Sequence, residues 1–95
     1  MQDDAFEWDD TKAATNWRKH AVTFEIAREV FDDLFSVEGG DAGYLDGEQR
    51  VLTMGMVENR LFVVCHTTRN GRIRIISARS AEPHERRKYH NANKT

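Results

Sequence analysis

Three apolar runs in the second half of the chain constrain its fold most strongly. They span Val51 to Val57, Leu61 to Thr68 and Arg72 to Ala78, and each is rich in the β-branched and apolar residues that favour strands. Glu58-Asn59 joins the first two runs, and Asn70-Gly71 joins the second and third. Asn-Gly between apolar runs is the strongest short-range indication of a hairpin. The sequence therefore predicts an antiparallel three-stranded meander whose middle run is the central strand, paired on both sides.

The segment before the meander predicts an edge strand followed by two helices. Phe6 and Trp8 alternate with acidic residues, which is typical of a short edge strand or an extended arm. Residues 11–20 lack Gly and Pro and follow Asp9, a good helix N-cap, so they predict a short helix. Thr23 can cap a second helix, in which apolar residues recur at helical spacing. These apolar residues are Phe24, Ala27, Val30, Phe31 and Leu34.

Two polar segments flank the meander. The stretch from Glu38 to Glu48 contains four of the chain's six glycines and several acidic residues, and it predicts an exposed loop. A last helix is predicted from Glu82 to about Asn91, with Pro83 tolerated in its first turn. Only Ala81 and Tyr89 offer apolar surface there, so this helix must be held mainly by polar contacts.

Length and composition favour one small α+β domain. A chain of 95 residues suits a single core, and we expect one domain over residues 1–95. No apolar run approaches the roughly 18 residues that span a bilayer, so no membrane association is expected. The acidic N-terminus is unlike a signal peptide, and the single cysteine, Cys65, cannot form an intrachain disulfide. A cytoplasmic location is therefore expected.

Charge is distributed very unevenly along the chain. Residues 1–48 contain 13 Asp and Glu against 4 Lys and Arg, a balance of −9, whereas residues 49–95 contain 3 against 10, a balance of +7. A basic half of this strength favours polyanions as partners. The alternative is that the two halves pair with each other through exposed ion pairs.

The third apolar run carries arginines in both sets of its strand alternation. The first set comprises Arg72, Arg74, Ile76 and Ala78, and the second comprises Ile73, Ile75, Ser77 and Arg79. Arg79 would end the strand at the rim of the core, where a planar guanidinium is well suited to bind a phosphate. The alternative is a structural ion pair between Arg79 and a carboxylate such as Glu85.

Further polar groups follow Arg79 in the last predicted helix. Glu85 and Tyr89 lie four residues apart and therefore on one side of that helix. A ribonuclease that uses no metal needs a base for the 2′-hydroxyl, a cation for the phosphorane and an acid for the leaving oxygen. These residue types supply such a set, although the same spacing also describes a solvated charged helix.

The histidines do not indicate a metal site. His20 closes the first predicted helix beside Lys19, where it could cap the helix or transfer protons near neutral pH. His66 lies within the middle run and is expected to be packing. None of the four histidines has zinc-site spacing, and no nucleotide-binding motif occurs. We therefore expect neither a metal nor a cofactor.

Two separate motifs, in order along the chain, resemble the BrnT family over about residues 6–90. The first motif comprises Trp8-Asp9, Lys12, Asn16, Lys19-His20, Val22, Phe24, Ala27, Val30-Phe31 and Asp33. The second comprises Arg72 to Arg79, Glu85-Arg86 and Tyr89. The resemblance implies a RelE-like fold and a ribonuclease toxin of a type II toxin–antitoxin pair, which blocks translation. It also implies a BrnA-like antitoxin with a ribbon-helix-helix part, through which alone operator DNA would be bound. Ala21 departs from the family pattern, which usually has Gly there, so a left-handed helix cap is in doubt.

The resemblance strengthens the nuclease interpretation of the polar residues. We expect Arg79 and Arg74 to hold the scissile phosphate, with His20 or Glu85 transferring the proton and Tyr89 beside them. The expected contacts to flanking phosphates are Lys19, Arg69, Arg72 and Arg87. The antitoxin is expected to cover this basic surface, or alternatively to bind the acidic half around residues 24–31. A non-catalytic module that binds nucleic acid or protein is the rival interpretation.

Overall fold

The computed structural model describes residues 1–45 and 47–94, which form a mixed sheet and three α-helices. The elements in chain order are β1 (Phe6–Glu7), α1 (Asp10–His20), α2 (Phe24–Glu29), a 3₁₀ turn (Val30–Asp32), β2 (Val37–Leu45), β3 (Glu48–Val57), β4 (Arg60–Arg69), β5 (Arg72–Ser80) and α3 (Pro83–Ala92). The predicted α+β class is confirmed at this level.

The meander forms the middle of a larger sheet. The strand order is β1-β5-β4-β3-β2, with β1 parallel to β5 and all other neighbours antiparallel. β4 is therefore central and paired on both sides, as predicted. Both meander turns place two residues at positive φ, Glu58-Asn59 at 49° and 66° and Asn70-Gly71 at 54° and 76°. This is the pattern of the two-residue turns whose twist matches that of a hairpin.

The predicted loop from Glu38 to Glu48 is wrong, because β2 occupies most of it. β2 pairs with β3 in a register that shifts between Glu38 and Asp41 and again between Asp41 and Gly43. An edge strand takes its hydrogen bonds from its neighbour's backbone, and bulges absorb residues that break a regular strand pattern. The expected three-stranded antiparallel sheet is consequently five-stranded and mixed.

Both N-terminal helices begin at the predicted caps. Asp9 accepts hydrogen bonds from the backbone N–H groups of Thr11 and Lys12, at 2.8 and 3.2 Å. Thr23 caps α2 in the same manner. The second helix is shorter than its apolar pattern indicates, and Leu34 lies beyond it with 95% of its surface exposed. The chain leaves the helix there because the Asp33 carboxylate accepts the N–H of Phe35 in a local turn.

Helices cover the two faces of the sheet unequally. α1 runs along the outer edge of β5, and α2 and the 3₁₀ turn pack against the face that carries Phe62 and Val64, which we call the covered face. The main core comprises Trp8, Val22, Phe24, Ala27, Val30, Phe62, Val64, Ile75 and Ala78. The opposite face, called the open face, carries Leu61 and Val63. α3 covers one end of it through a smaller core of Met54, Leu61, Val63, Ala81 and Tyr89.

Asn16 completes the outer edge of β5 where β1 stops. β1 reaches only Ile73 and Arg74. Further along, the Asn16 side-chain amide accepts the N–H of Ala78 at 3.0 Å and donates to its carbonyl at 2.9 Å. The same amide donates to the carbonyl of Val22 at 2.9 Å. Asn16 is 5% exposed, so this one side chain satisfies a buried strand edge and holds α1 against it.

A left-handed cap ends α1 despite the alanine at that position, contrary to the doubt raised by the sequence. Ala21 adopts φ 55° and ψ 34°, and its N–H donates to the Trp17 carbonyl at 2.9 Å. A side chain with a Cβ is strained in this conformation by about 1–2 kcal/mol.

Replacing this residue by glycine should stabilise the protein. Ala21→Gly relieves the strain in the folded state, but the added glycine also raises the conformational entropy of the unfolded state, which offsets part of this stabilisation. We therefore expect the free energy of unfolding to rise by about 0.5–1 kcal/mol. Urea denaturation measures it. Ala14→Gly, at an exposed site inside α1, is the matched control and should lower the same quantity by about 1 kcal/mol. An Ala21→Gly protein as unstable as the control would contradict the left-handed cap.

His66 is a buried histidine on the covered face. Its Nε2 lies 2.7 Å from the Thr53 hydroxyl, its ring contacts Phe31 edge to face, and its Nδ1 has no hydrogen-bond partner among the described residues. Burial lowers the pKa of His66, and the charge of Glu38 opposes this shift.

Folding stability should therefore fall with acidification. Because the His66 pKa is lower in the folded state, the unfolded chain binds the proton first as the pH falls below about 6.5. We expect the free energy of unfolding to fall between pH 7 and pH 5, and the fall to be smaller in His66→Gln. Urea titrations at several pH values check this, and equal pH dependence in both proteins would contradict it.

Candidate nucleic-acid interface and active site

A β-bulge decides which face of the sheet the arginines of β5 occupy. Cys65 pairs with Ser77 but His66 pairs with Ile75, which leaves Ile76 as an extra residue. The extra residue shifts the alternation, so Ile75 and Ala78 both enter the main core. The predicted face sets are therefore wrong. Arg72, Arg74, Ser77 and Arg79 share the open face, because β5 changes parity at Ile76.

One part of the open face forms a basic cleft. Two adjoining cavities of about 150 and 220 Å³ share Lys12 and Ile76 and so form one surface along β5 and α1. We define the basic cleft by its cations and histidine, which are Lys12, Lys19, His20, Arg50, Arg69 and Arg74. Its remaining lining includes Thr15, Asn16, Thr67, Ile76 and Ser77.

The register of three neighbouring strands sets the spacing inside the basic cleft. Thr67 pairs with Arg74, and Arg50 directly precedes Val51 in the β3–β4 ladder. Arg50, Thr67 and Arg74 therefore follow one another across the sheet, with the two arginines about 10 Å apart at the backbone. Long guanidinium side chains from such positions can converge on one phosphate.

α1 supplies the wall of the basic cleft. Lys12 and Lys19 are two helical turns apart and therefore lie on the same side of α1, next to the bulge. His20 lines the same cavity as Lys19, with its ring exposed to solvent. The left-handed cap at Ala21 fixes where α1 ends and hence where His20 stands.

The basic cleft retains a net positive charge after its internal ion pairs are counted. Arg74 pairs with Glu7 at 3.0 Å, and Arg69 pairs with Glu48. Five cationic side chains against these two carboxylates leave a balance of +3. Among the side chains that the structure describes, Lys12, Lys19 and Arg50 have no ion-pair partner. Such unpaired cations on a concave surface favour an anionic ligand.

The pKa of the Cys65 thiol is affected by two of these cations. Burial raises the pKa of the Cys65 thiol, while the charges of Arg50 and Lys12 and a hydrogen bond to Ser77 lower it. The two cations therefore act on the same patch of the open face, although they come from β3 and α1.

Three of the predicted catalytic residues lie outside the basic cleft and hold α3. Arg79 donates to both carboxylate oxygens of Glu85, at 2.7 and 3.0 Å, and Glu85 also accepts the N–H of Glu82 in a capping box. The hydrogen bond from Arg79 lowers the pKa of Glu85 against the effect of burial. Tyr89 donates to Asp33 at 2.6 Å, and burial together with this bond raises its pKa to about 12.

Two predicted phosphate contacts also lie elsewhere. Arg72 uses its Nε to donate to the Asp3 carbonyl at 2.7 Å and so holds the N-terminal arm. Arg87 is exposed on α3, two residues after the buried Glu85 and therefore on the opposite side of that helix. The structure thus brings together Lys19, His20, Arg69 and Arg74 and separates them from the other predicted site residues.

Sequence reasoning gave no site role to Lys12 or Arg50. The seven-residue spacing of Lys12 and Lys19 on a predicted helix was a usable indication, because it puts both on one side. Arg50 had no such indication, since it stands at the border of the segment predicted as a loop. Its place depends on β3 beginning at Glu48.

One family of known proteins matches most of the chain. The family model for the ribonuclease toxin BrnT of type II toxin–antitoxin systems matches residues 8–85. The chain therefore belongs to the BrnT family. The match spans α1 through β5 and ends at Glu85, so it includes every residue of the basic cleft. No curated protein matches the chain. Among the described residues, no helix has the length and apolarity to span a membrane.

Removing the Arg79 side chain should weaken the attachment of α3. Arg79→Ala leaves the 8%-exposed Glu85 without its charged partner, which we expect to lower the free energy of unfolding by about 1–2 kcal/mol. Because the folded-state pKa of Glu85 is lowered, this stabilisation is present above about pH 4.5 and lost at lower pH.

A double-mutant cycle with Glu85→Gln measures the coupling between the two side chains. Two independent, additive effects would show that the ion pair does not hold α3. Arg87→Ala, which removes an exposed arginine from the same helix, is the matched control and should leave stability unchanged.

Proposed function

We propose that this chain is a metal-independent endoribonuclease toxin that cleaves RNA in the basic cleft and thereby blocks translation. The observation that carries the proposal is the convergence of Lys12, Arg50 and Arg74 on one concave patch of the open face. A RelE-like architecture is part of the proposal. It is supported by a mainly antiparallel five-stranded sheet combined with three α-helices.

The chemistry proposed for the basic cleft needs only protein groups. Arg50 and Arg74 bind the scissile phosphate and stabilise the charge of the phosphorane. His20 accepts the proton of the 2′-hydroxyl as the 2′-oxygen bonds to phosphorus, and the bond from phosphorus to the 5′-oxygen breaks as that oxygen takes a proton from water. Lys12, Lys19 and Arg69 bind flanking phosphates, a contribution that is insensitive to sequence and weakened by salt.

The residues that hold α3 have a different role in this proposal. Arg79, Glu85 and Tyr89 fix α3 over one end of the open face and leave the basic cleft uncovered. Arg74 and Arg79 lie opposite Thr67 and Val63, which are four residues apart on β4, so they are about 13 Å apart along the strand. One phosphate is therefore bound by Arg74 with Arg50 rather than by Arg74 with Arg79.

The proposed protein partner is an antitoxin. Membership of a type II toxin family implies a protein that neutralises the chain. We propose a BrnA-like antitoxin with a ribbon-helix-helix part, and we assign any contact with operator DNA to that partner.

Substitutions in the basic cleft test the proposal. Arg50→Ala and Lys12→Ala should each weaken RNA binding and cleavage by about 10- to 100-fold, because each removes a charged hydrogen-bond donor. His20→Ala should lower kcat about 100-fold or more while the Kd for RNA stays unchanged. Cleavage should persist in EDTA.

Arg87→Ala is the matched control, because it removes an arginine from the surface of α3 without touching the basic cleft. Gel assays of RNA cleavage and fluorescence titrations with labelled RNA provide the measurements. RNA binding by the wild-type chain without any cleavage would favour the non-catalytic module. Full activity in Arg50→Ala and Lys12→Ala would contradict the basic cleft as the site.

A further inference from the structure

Two large apolar side chains are exposed side by side at the end of the sheet away from the basic cleft. Leu34 is 95% exposed and Phe35 is 63% exposed. They follow the 3₁₀ turn and precede β2. Their combined exposed apolar area is about 300 Å², the size at which a surface patch on a small protein is often functional. We call Leu34 and Phe35 the apolar patch.

The backbone under the apolar patch is held by four hydrogen bonds. One oxygen of Asp33 accepts the N–H of Phe35 at 2.9 Å. The other accepts the N–H of Met56 at 2.8 Å and the hydroxyl of Tyr89 at 2.6 Å. Asn93 donates to the Phe35 carbonyl at 3.0 Å. The backbone that carries the two side chains is therefore fixed, which lowers the entropic cost of ordering this segment when a partner binds.

The chain segment that carries the apolar patch is acidic, whereas α3, which contacts this segment through Asn93, brings Lys88 close to Gly39. Residues 25–38 contain five carboxylates, at positions 25, 29, 32, 33 and 38, against the single cation Arg28, a balance of −4. Arg28 is itself paired with Asp3. Four of these carboxylates are exposed, and only Asp33 is engaged beneath the apolar patch. A partner segment with apolar side chains flanked by Lys or Arg would complement these exposed carboxylates.

We propose that the apolar patch is the anchor of a docking surface for the antitoxin, through an antitoxin segment in which apolar residues are flanked by basic ones. The inference rests on the proposed function, which supplies the antitoxin. Self-association explains the apolar patch less well, because two copies would bury only about 600 Å² in total, half of what a specific interface needs.

The docking surface and the basic cleft are separate places on the molecule. Arg50 lies six residues from Met56 on β3, about 20 Å along the strand. The sequence also allowed an antitoxin contact around residues 24–31. Phe24, Ala27 and Val30 are fully buried there, so they cannot contact an antitoxin. Antitoxin affinity and RNA cleavage can therefore be altered independently.

Calorimetric titration with the protein encoded beside this chain's gene tests the proposal. The double variant Leu34→Ser/Phe35→Ser should bind that protein at least about 100-fold more weakly than the wild type, since central apolar anchors dominate interface energy. It should fold and cleave RNA as the wild type does, because both side chains are exposed. Trp17→Ser, which removes another exposed aromatic from α1, is the matched control and should bind normally.

Other results of these measurements would contradict the inference or the proposed function, and they can be told apart. Equal affinity of the double variant and the wild type would remove the apolar patch from the interface. A wild-type dimer in light scattering that the double variant converts to monomer would assign the apolar patch to self-association. If the wild type does not bind the neighbouring protein, both this inference and the antitoxin part of the proposed function are wrong. If the wild type does not cleave RNA, only the nuclease part of the proposed function is wrong.

Discussion

The arrangement of the whole molecule depends on how the outer edge of β5 is satisfied. β1 pairs with only the first part of that edge, and the Asn16 amide supplies both hydrogen bonds at Ala78. An unsatisfied buried donor or acceptor costs about 1–3 kcal/mol, so this contact fixes α1 against the edge. The same placement puts Lys12 and Lys19 beside the open face. One internal amide therefore connects the stability of the fold to the wall of the basic cleft.

The bulge at Ile76 and the contacts of α3 determine which part of the open face is covered and which part is accessible. The bulge turns Arg72, Arg74 and Arg79 toward the open face, while Ile75 and Ala78 stay in the core. α3 has little apolar surface and is held by the pairs Arg79–Glu85 and Tyr89–Asp33. These pairs keep α3 at one end of the open face, and the other end remains accessible to a polyanion.

Much of the fold could be predicted from the sequence, because many of its elements are determined by residues close together in the chain. The caps at Asp9 and Thr23, the Asn70-Gly71 turn and the polar attachment of α3 all follow from neighbouring residues. β2 could not be predicted, since its pairing depends on β3 and its pattern is interrupted by bulges. The bulge at Ile76 depends on register with β4, so the faces of the β5 arginines were predicted wrongly. The grouping of Arg50 with Lys12 is tertiary and has no local indication.

The central claim is that RNA binds the open face at the basic cleft rather than at α3. An NMR titration of the ¹⁵N-labelled chain with an RNA made uncleavable by 2′-deoxy substitution tests it directly. We expect amide shifts concentrated at residues 12–20, 50 and 67–77, and we expect added salt to weaken them. Shifts centred instead on residues 79–90, with residues 12–20 and 50 unchanged, would contradict the account.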